Sequence, residues 1–239
     1  MRPLGFSTGA LGYSDFRLAL RMLAETSATA VELSALRQLE LEPLISCLGE
    51  LDLNRYSHIS LHLPSAIQPD FEPTLLNLVK HVPHEWRLIT HPDIIRSWDE
   101  WAELGSRVCI ENMDKRKEIG QTARHLRSVF SQLPSASFCF DIGHAHQVDP
   151  TMGEAVLLLE EFQQRLSQLH VSEVNSESKH DPISLEVALA FETVSTLIPE
   201  GVPAILEGVP KGSDRLEQAK SEMALVWQLL STPTSLAVD

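Results

Sequence analysis

Cysteine is scarce in this chain. Cys47, Cys109 and Cys139 are the only three, an odd number without CxxC spacing, which argues against a disulfide framework or a zinc–thiolate site and leaves reduced thiols as the expectation. Positive charge is also short. Nineteen Lys and Arg face thirty-three Asp and Glu, a net charge of −14, so the surface repels phosphate backbones and nucleic acid is not an expected partner. No apolar run approaches the roughly 20 residues that span a bilayer. The first residues lack the basic start and apolar stretch of a secretory leader, so a soluble, cytoplasmic protein without a membrane partner is expected. A glycine-rich phosphate loop is missing too: GFSTGALG (5–12) has neither G-x-G-x-x-G nor Walker spacing. Nothing resembling a linker, low-complexity tract or charge run divides the chain. One domain over 1–239 is expected, with about 232–239 as a flexible tail.

What the sequence does have is apolar content, 43% of 239 residues, enough for a sizeable core, and a regular alternation. Short apolar or β-branched runs predict strands at 3–9, 29–34, 57–63, 86–91, 107–112, 136–142, 166–172 and 202–208. Helical patterns follow at 14–26, about 40–50, about 72–81, around Trp98 and Trp101, about 116–132, about 152–164, about 184–198 and about 213–231. Parallel strands need crossovers, so eight strand–helix units in this length predict a closed (β/α)₈ TIM barrel. Asp15 and Asp214 read as helix caps. Trp86, Trp98 and Trp101 either pack helices on the barrel or line a pocket.

Six of the predicted strands end on a metal-ligand side chain: His62, His91, Glu111, Asp141, His170 and Glu207. The C-terminal rim of a barrel is where loops converge on the active site. Strand periodicity puts Cys109 with Glu111, Cys139 with Asp141, Gln168 with His170 and Ile205 with Glu207 on shared faces. If those faces point inward, carboxylates and imidazoles crowd one volume, a costly arrangement unless a divalent cation compensates it. Asp141 is then a ligand, and His144 reaches the same site from the loop that follows. The cysteines one layer below fill the barrel as small apolar groups. Glu32 either faces the site or makes a structural hydrogen bond. His58, His81, His84 and His125 read as ordinary solvated or core positions.

The ordered series LHLP (61–64), THPD (90–93), CIEN (109–112), FDIGHA (140–145), LHVS (169–172) and ILEGVP (205–210) resembles the xylose isomerase-like barrel superfamily, which groups sugar phosphate isomerases and epimerases with endonuclease IV-like enzymes. The resemblance spans nearly the whole chain. It implies a metal held by Glu111, Asp141, His170 and Glu207 with His144 beside it, and, as in the endonuclease branch, a second metal on His62 and His91 bridged by Glu111. Two departures stand out. SKHDP (178–182) has Ser178 where that branch has the aspartate of a third metal site, leaving His180, and Glu173 replaces an aspartate three residues after His170.

Two chemistries follow, on one or two divalent ions, zinc or manganese. Two ions about 3.5–4 Å apart would clamp the phosphoester of a small phosphorylated sugar or polyol for hydrolysis, which gives His62 and His91 a task. One ion would support sugar isomerisation or epimerisation through an enediol, with Glu111 and Glu207 as base and acid and His144 on a substrate oxygen. Lys115, Arg116 and Lys117 form the one concentrated positive patch near the rim, suited to a single phosphate group or to a solvated helix start. A barrel that binds metal or ligand without turnover is the remaining alternative.

Overall fold

The computed structural model describes residues 2–231; the predicted tail lies outside the described residues. Eight parallel strands close a barrel in the order β1-β10-β7-β6-β5-β4-β3-β2. They are β1 (Leu4–Ser7), β2 (Ala30–Ser34), β3 (His58–His62), β4 (Arg87–Thr90), β5 (Val108–Glu111), β6 (Ser137–Asp141), β7 (Leu166–Val171) and, after a small hairpin of β8 (Glu173–Val174) and β9 (His180–Asp181), β10 (Ala204–Leu206). The helices are α1 (Thr8–Gly12), α2 (Phe16–Ala24), α3 (Gln38–Ser46), α4 (Glu72–Leu78), α5 (Trp98–Ala102), α6 (Ala123–Gln132), α7 (Ile142–Val148), α8 (Gly153–Phe162), α9 (Leu185–Ser195) and α10 (Arg215–Ser231). This is the (β/α)₈ architecture.

Strand periodicity divides the apolar residues into two layers. On β6, Phe138 points outward and meets Phe130 of α6 and Phe162 of α8 at ring-centroid distances of 6.2 and 5.9 Å. Burying each such ring stabilises the fold by about 1.5–3 kcal/mol. Cys139, its neighbour, packs with Cys109 and Ile89 in a separate buried cluster, apart from the core that holds Leu88, Ile110, Phe138 and Phe140. That second cluster lies inside the barrel. The residue two further along each of those strands, His91, Glu111 or Asp141, therefore stands on the inward face at the rim.

Local differences from the residue pattern have physical reasons. The pattern over 14–26 extends one helix, but the chain makes α1 directly after β1 and turns through Tyr13 and Ser14, both left-handed at φ 52° and 70°, before α2 begins at its Asp15 cap. Helical propensity over 116–132 survives only as α6 from Ala123. Residues 112–122 instead form a rim loop, closed where Met113 N–H donates to Gly120 O at 3.0 Å. Gly120 has φ +91°, and a Cβ there would lie 2.6 Å from Met113 Cγ, so the loop needs glycine at this position. The patch Lys115–Lys117 is thus on that loop and not at a helix start. The segment after Asp141, read as a loop, is helix α7, capped by Asp141 itself.

Trp86 and Trp101 are buried in the core and Trp98 packs against it. Trp101 Nε1–H donates to Glu72 Oε1 at 2.9 Å, and the same carboxylate accepts Arg96 N–H, Ser97 N–H and Ser97 Oγ–H at 2.7, 3.2 and 3.1 Å. Burial pushes the Glu72 carboxyl up, but these four donors together hold it below the usual range. The loop that begins with His91 is anchored by this clamp.

Candidate metal centre

All six strand-end residues meet at one mouth. His62 and Glu111 end β3 and β5, Asp141 ends β6, His170 is the penultimate residue of β7, and His91 and Glu207 directly follow β4 and β10. Each is buried, with at most 8% exposure (His91 and Glu207). Glu111 sits at the centre. Its Oε1 lies 3.0 Å from His170 Nδ1 and 3.6 Å from His144 Nδ1, and its Oε2 lies 3.2 Å from His62 Nε2 and 3.3 Å from His91 Nε2. His170 Nδ1 is also 3.4 Å from Glu207 Oε2. Donor atoms of Glu111, Asp141, His170 and Glu207 lie within 4.8 Å of one another, as do those of His62, Glu111 and His170, and those of Asp141, His144 and His180.

His144 comes from the first turn of α7, with its backbone N–H donating to Asp141 Oδ1 at 2.6 Å. Gly143 makes this approach possible, because a Cβ there would be 2.5 Å from Ser172 O. The rings of His144 and His180 are 5.1 Å apart, and His180 Nδ1 pairs with Ser172 Oγ at 2.8 Å, 3.6 Å from Glu207 Oε2. Ser178 Oγ accepts from Gln147 Nε2 at 2.9 Å, and Glu173 accepts from Ser184 N–H at 2.9 Å. Glu173 thereby serves the start of α9.

The electrostatics are those of a crowded cation site. Burial pushes the Glu111 carboxyl up, yet His170, His62 and His91 outweigh it and hold it well below the usual range. Asp141 is pushed up to about 7 by burial and then by Glu111. Burial also drives Glu207 well above its ordinary value, reinforced by Glu111, Glu32 and Asp141 against the pull of His170. Burial alone would lower His62; its hydrogen bond to Glu111 and the charges of Glu32, Glu111 and Glu207 raise it to about 9. His91 and His144 are lowered, chiefly by burial, and His180 falls to about 4 through burial and the nearby His144. Asp141 Oδ2 is buried without a hydrogen bond. A divalent ion fits such a site, since it satisfies that oxygen and offsets the mutual repulsion of the carboxylates.

Supporting contacts fix the orientations. His62 Nδ1 lies 2.7 Å from Leu63 O, which leaves Nε2 for the centre. Asn112 follows Glu111 and was not singled out by residue type, although it closes the CIEN stretch. Its Nδ2 donates to Asp141 O, its Oδ1 accepts Asp141 N–H, both at 2.8 Å, and its carbonyl lies 2.9 Å from His144 Nδ1. Glu32 contacts His170 from the layer below, and its carboxylate also comes within 4.8 Å of donor atoms of His62 and Glu207, so it borders the centre. His58 Nε2 is 2.7 Å from Gln168 Oε1 in the same interior.

Above the centre opens a cavity of about 1030 Å³ whose floor includes His62, His91, Glu111, His144 and Glu207. Arg37, Arg116, Lys117, Lys179 and Lys211 line its rim. Each is paired, with Glu40, Asp114, Asp93, Glu177 and Asp181, at 2.6–2.8 Å. Lys117 Nζ also donates to Ser65 O at 3.1 Å, joining the loops after β3, β4 and β5.

Neither a protein-family model nor a curated protein matches the chain by sequence. Solved structures do match in fold. A D-tagatose 3-epimerase-like protein aligns with TM-score 0.62 at 15% identity over 96% of this chain and 97% of its own. A xylose isomerase-like TIM barrel protein from Mycobacterium smegmatis, in complex with magnesium, aligns with TM-score 0.59 at 12% identity over 97% and 98%. A sugar phosphate isomerase/epimerase from Parabacteroides distasonis aligns with TM-score 0.52 at 15% identity over 95% and 93%. The (β/α)₈ barrel fold is shared with these solved structures along nearly their whole length. No helix among the described residues is long and apolar enough to cross a membrane.

Proposed function

We propose that this chain is a divalent-metal-dependent enzyme acting on a small phosphorylated sugar or polyol, with a two-ion centre and phosphoester hydrolysis as its reaction. Glu111 carries the reading: Oε2 faces His62 and His91 while Oε1 faces His170, so one carboxylate meets a separate set of imidazoles at each oxygen. His62, His91 and Glu111 would hold one ion, and Glu111, Asp141, His170 and Glu207 the other, with zinc or manganese suited to these nitrogen and oxygen donors. When bound, the ions supply positive charge and Lewis-acid polarisation at the phosphoryl group.

The chain's own groups have matching tasks. His144 Nδ1 is engaged with Asn112 O at 2.9 Å, and burial disfavours the charged ring, so a neutral Nε2 is available to take a proton from attacking water. The oxygen of that water replaces the sugar oxygen on phosphorus, and the departing alkoxide takes its proton from solvent. Rim cations such as Lys117 and Arg116 would grip the remaining phosphate oxygens. A net charge of −14 opposes a nucleic-acid duplex as substrate.

Sugar isomerisation or epimerisation is the second reading, favoured by a different observation. Glu207 is biased toward its protonated form and Glu111 toward its ionised form, with His170 Nδ1 3.4 and 3.0 Å from them. Carboxylates held apart in this way are suited to act as acid and base in moving a proton between neighbouring carbons, with His144 on a substrate oxygen. The names of the three solved barrels point the same way.

Elemental analysis of purified protein, followed by a panel of phosphoesters and ketoses, tests both. Two ions per chain with phosphatase turnover is the expected result. One ion with sugar interconversion transfers the assignment to the second reading. Metal without turnover on either panel leaves a binding barrel, and no metal after anaerobic purification with zinc or manganese overturns both catalytic readings.

A further inference from the structure

Glu32, on β2, is fully buried inside the barrel, where an unpaired carboxylate is expensive. Its Oε2 lies 2.9 Å from His170 Nε2, accepts Gln168 Nε2–H at 2.7 Å, and accepts Ser60 Oγ–H at 3.3 Å. β2 and β7 are not neighbours in the barrel, since β1 and β10 stand between them. The contact therefore crosses the lumen. Gln168 shares the inward face with His170, and its Oε1 is held 2.7 Å from His58 Nε2, which fixes the amide so that its nitrogen faces Glu32. The two nitrogens aimed at that oxygen are themselves only 2.9 Å apart.

A filler residue at the barrel centre would not require three polar partners drawn from two other strands. An imidazole whose Nε2–H points at a carboxylate presents a lone pair at Nδ1, the nitrogen that lies 3.0 Å from Glu111 Oε1 and 3.4 Å from Glu207 Oε2. We infer that Glu32 is a positioning residue of the metal centre: it fixes the tautomer and ring orientation of His170 from beneath and strengthens Nδ1 as a ligand, with Gln168 holding Glu32 in turn. This rests on the metal-binding reading of the site. Carboxylate–imidazole partners of this kind govern metal affinity by about 10–100-fold.

The test is a zinc titration, by competition with a chelator, of the metal-free wild type, Glu32→Gln and Glu32→Met, combined with NMR of the His170 imidazole in the zinc-loaded forms. Glu32→Met, which has no acceptor, is expected to bind zinc about 10–100-fold more weakly, and Glu32→Gln, which retains a neutral acceptor, to lose less. In the wild type His170 should give a downfield, slowly exchanging Nε2–H resonance that moves upfield in Glu32→Gln. Zinc affinities within about twofold of each other and an unmoved resonance would overturn the inference while leaving the metal reading intact. A wild type that takes up neither zinc nor manganese overturns both. Should Glu32→Met fail to fold, the near-isosteric Gln variant and the wild-type resonance decide the matter.

Discussion

Asn112 and Asp141 grip each other by two hydrogen bonds of equal length: the amide of Asn112 donates to Asp141 O and accepts Asp141 N–H, each at 2.8 Å. The pair joins the ends of β5 and β6 at the level of the candidate ligands. Replacing Asn112 with Leu removes both of these bonds to the buried Asp141 backbone, at about 0.5–1.5 kcal/mol each. Thermal unfolding should show the loss, and metal content should fall with it. An unchanged melting temperature would remove Asn112 from this role.

Glu111→Gln keeps the shape of the central side chain and removes its charge. Both oxygens face imidazoles, so the variant should retain less metal and lose all measurable turnover, by elemental analysis and assay. Full activity would exclude Glu111 from the centre.

Lys117→Ala tests the rim. Its ammonium touches Asp93 and Ser65 at the cavity mouth, away from the donor set at the floor. A role in holding phosphate predicts a KM raised about tenfold, roughly the 1.4 kcal/mol of one charge-assisted hydrogen bond, with kcat nearly unchanged. An equal effect on a substrate without phosphate would point to loop structure instead.

Glu222 of α10 predicts a pH dependence apart from the metal site. It is 6% exposed, its Oε2 has no hydrogen bond, and burial pushes its carboxyl up to about 8 despite Ile183 N–H donating to Oε1. A carboxyl raised on folding binds its proton more tightly in the native state, so its contribution is present below the unfolded value of 4.5 and is lost as pH rises toward 8. Glu222→Gln should therefore gain stability relative to wild type with rising pH, by a few kcal/mol at pH 8–9 on the scale of about 1.4 kcal/mol per pKa unit. Parallel melting curves at pH 5 and pH 9 would refute this.

The barrel was legible because β-branched and apolar runs alternate with helical spacing eight times, and its mouth because His62, His91, Glu111, Asp141, His170 and Glu207 each stand where such a run stops. Less was legible where one residue serves two structures. Asp141 ends β6 and caps α7 at once, so the helix carrying His144 was hidden in what looked like a loop. The charged stretch 115–117 has helical propensity, but Gly120 and Asp114 commit it to a rim loop. Glu32 and His170 are 138 positions apart, and nothing in either local stretch announces that they meet. Such contacts follow from barrel closure, which strand spacing predicts only as a whole.

The cationic rim has a consequence for how a ligand would enter. Every positive group lining it already has an acidic partner; in four of the five pairs the cation itself is exposed, Lys117 being the half-buried one, and pairs open to solvent are worth only about 0–1 kcal/mol. An arriving dianion can trade places with one of those carboxylates at small cost, whereas a neutral sugar or a weak monoanion gains little by the exchange. Selection at the entrance would thus depend on competition for counter-ions, and added sulfate should slow capture of a phosphorylated ligand more than an equal ionic strength of chloride.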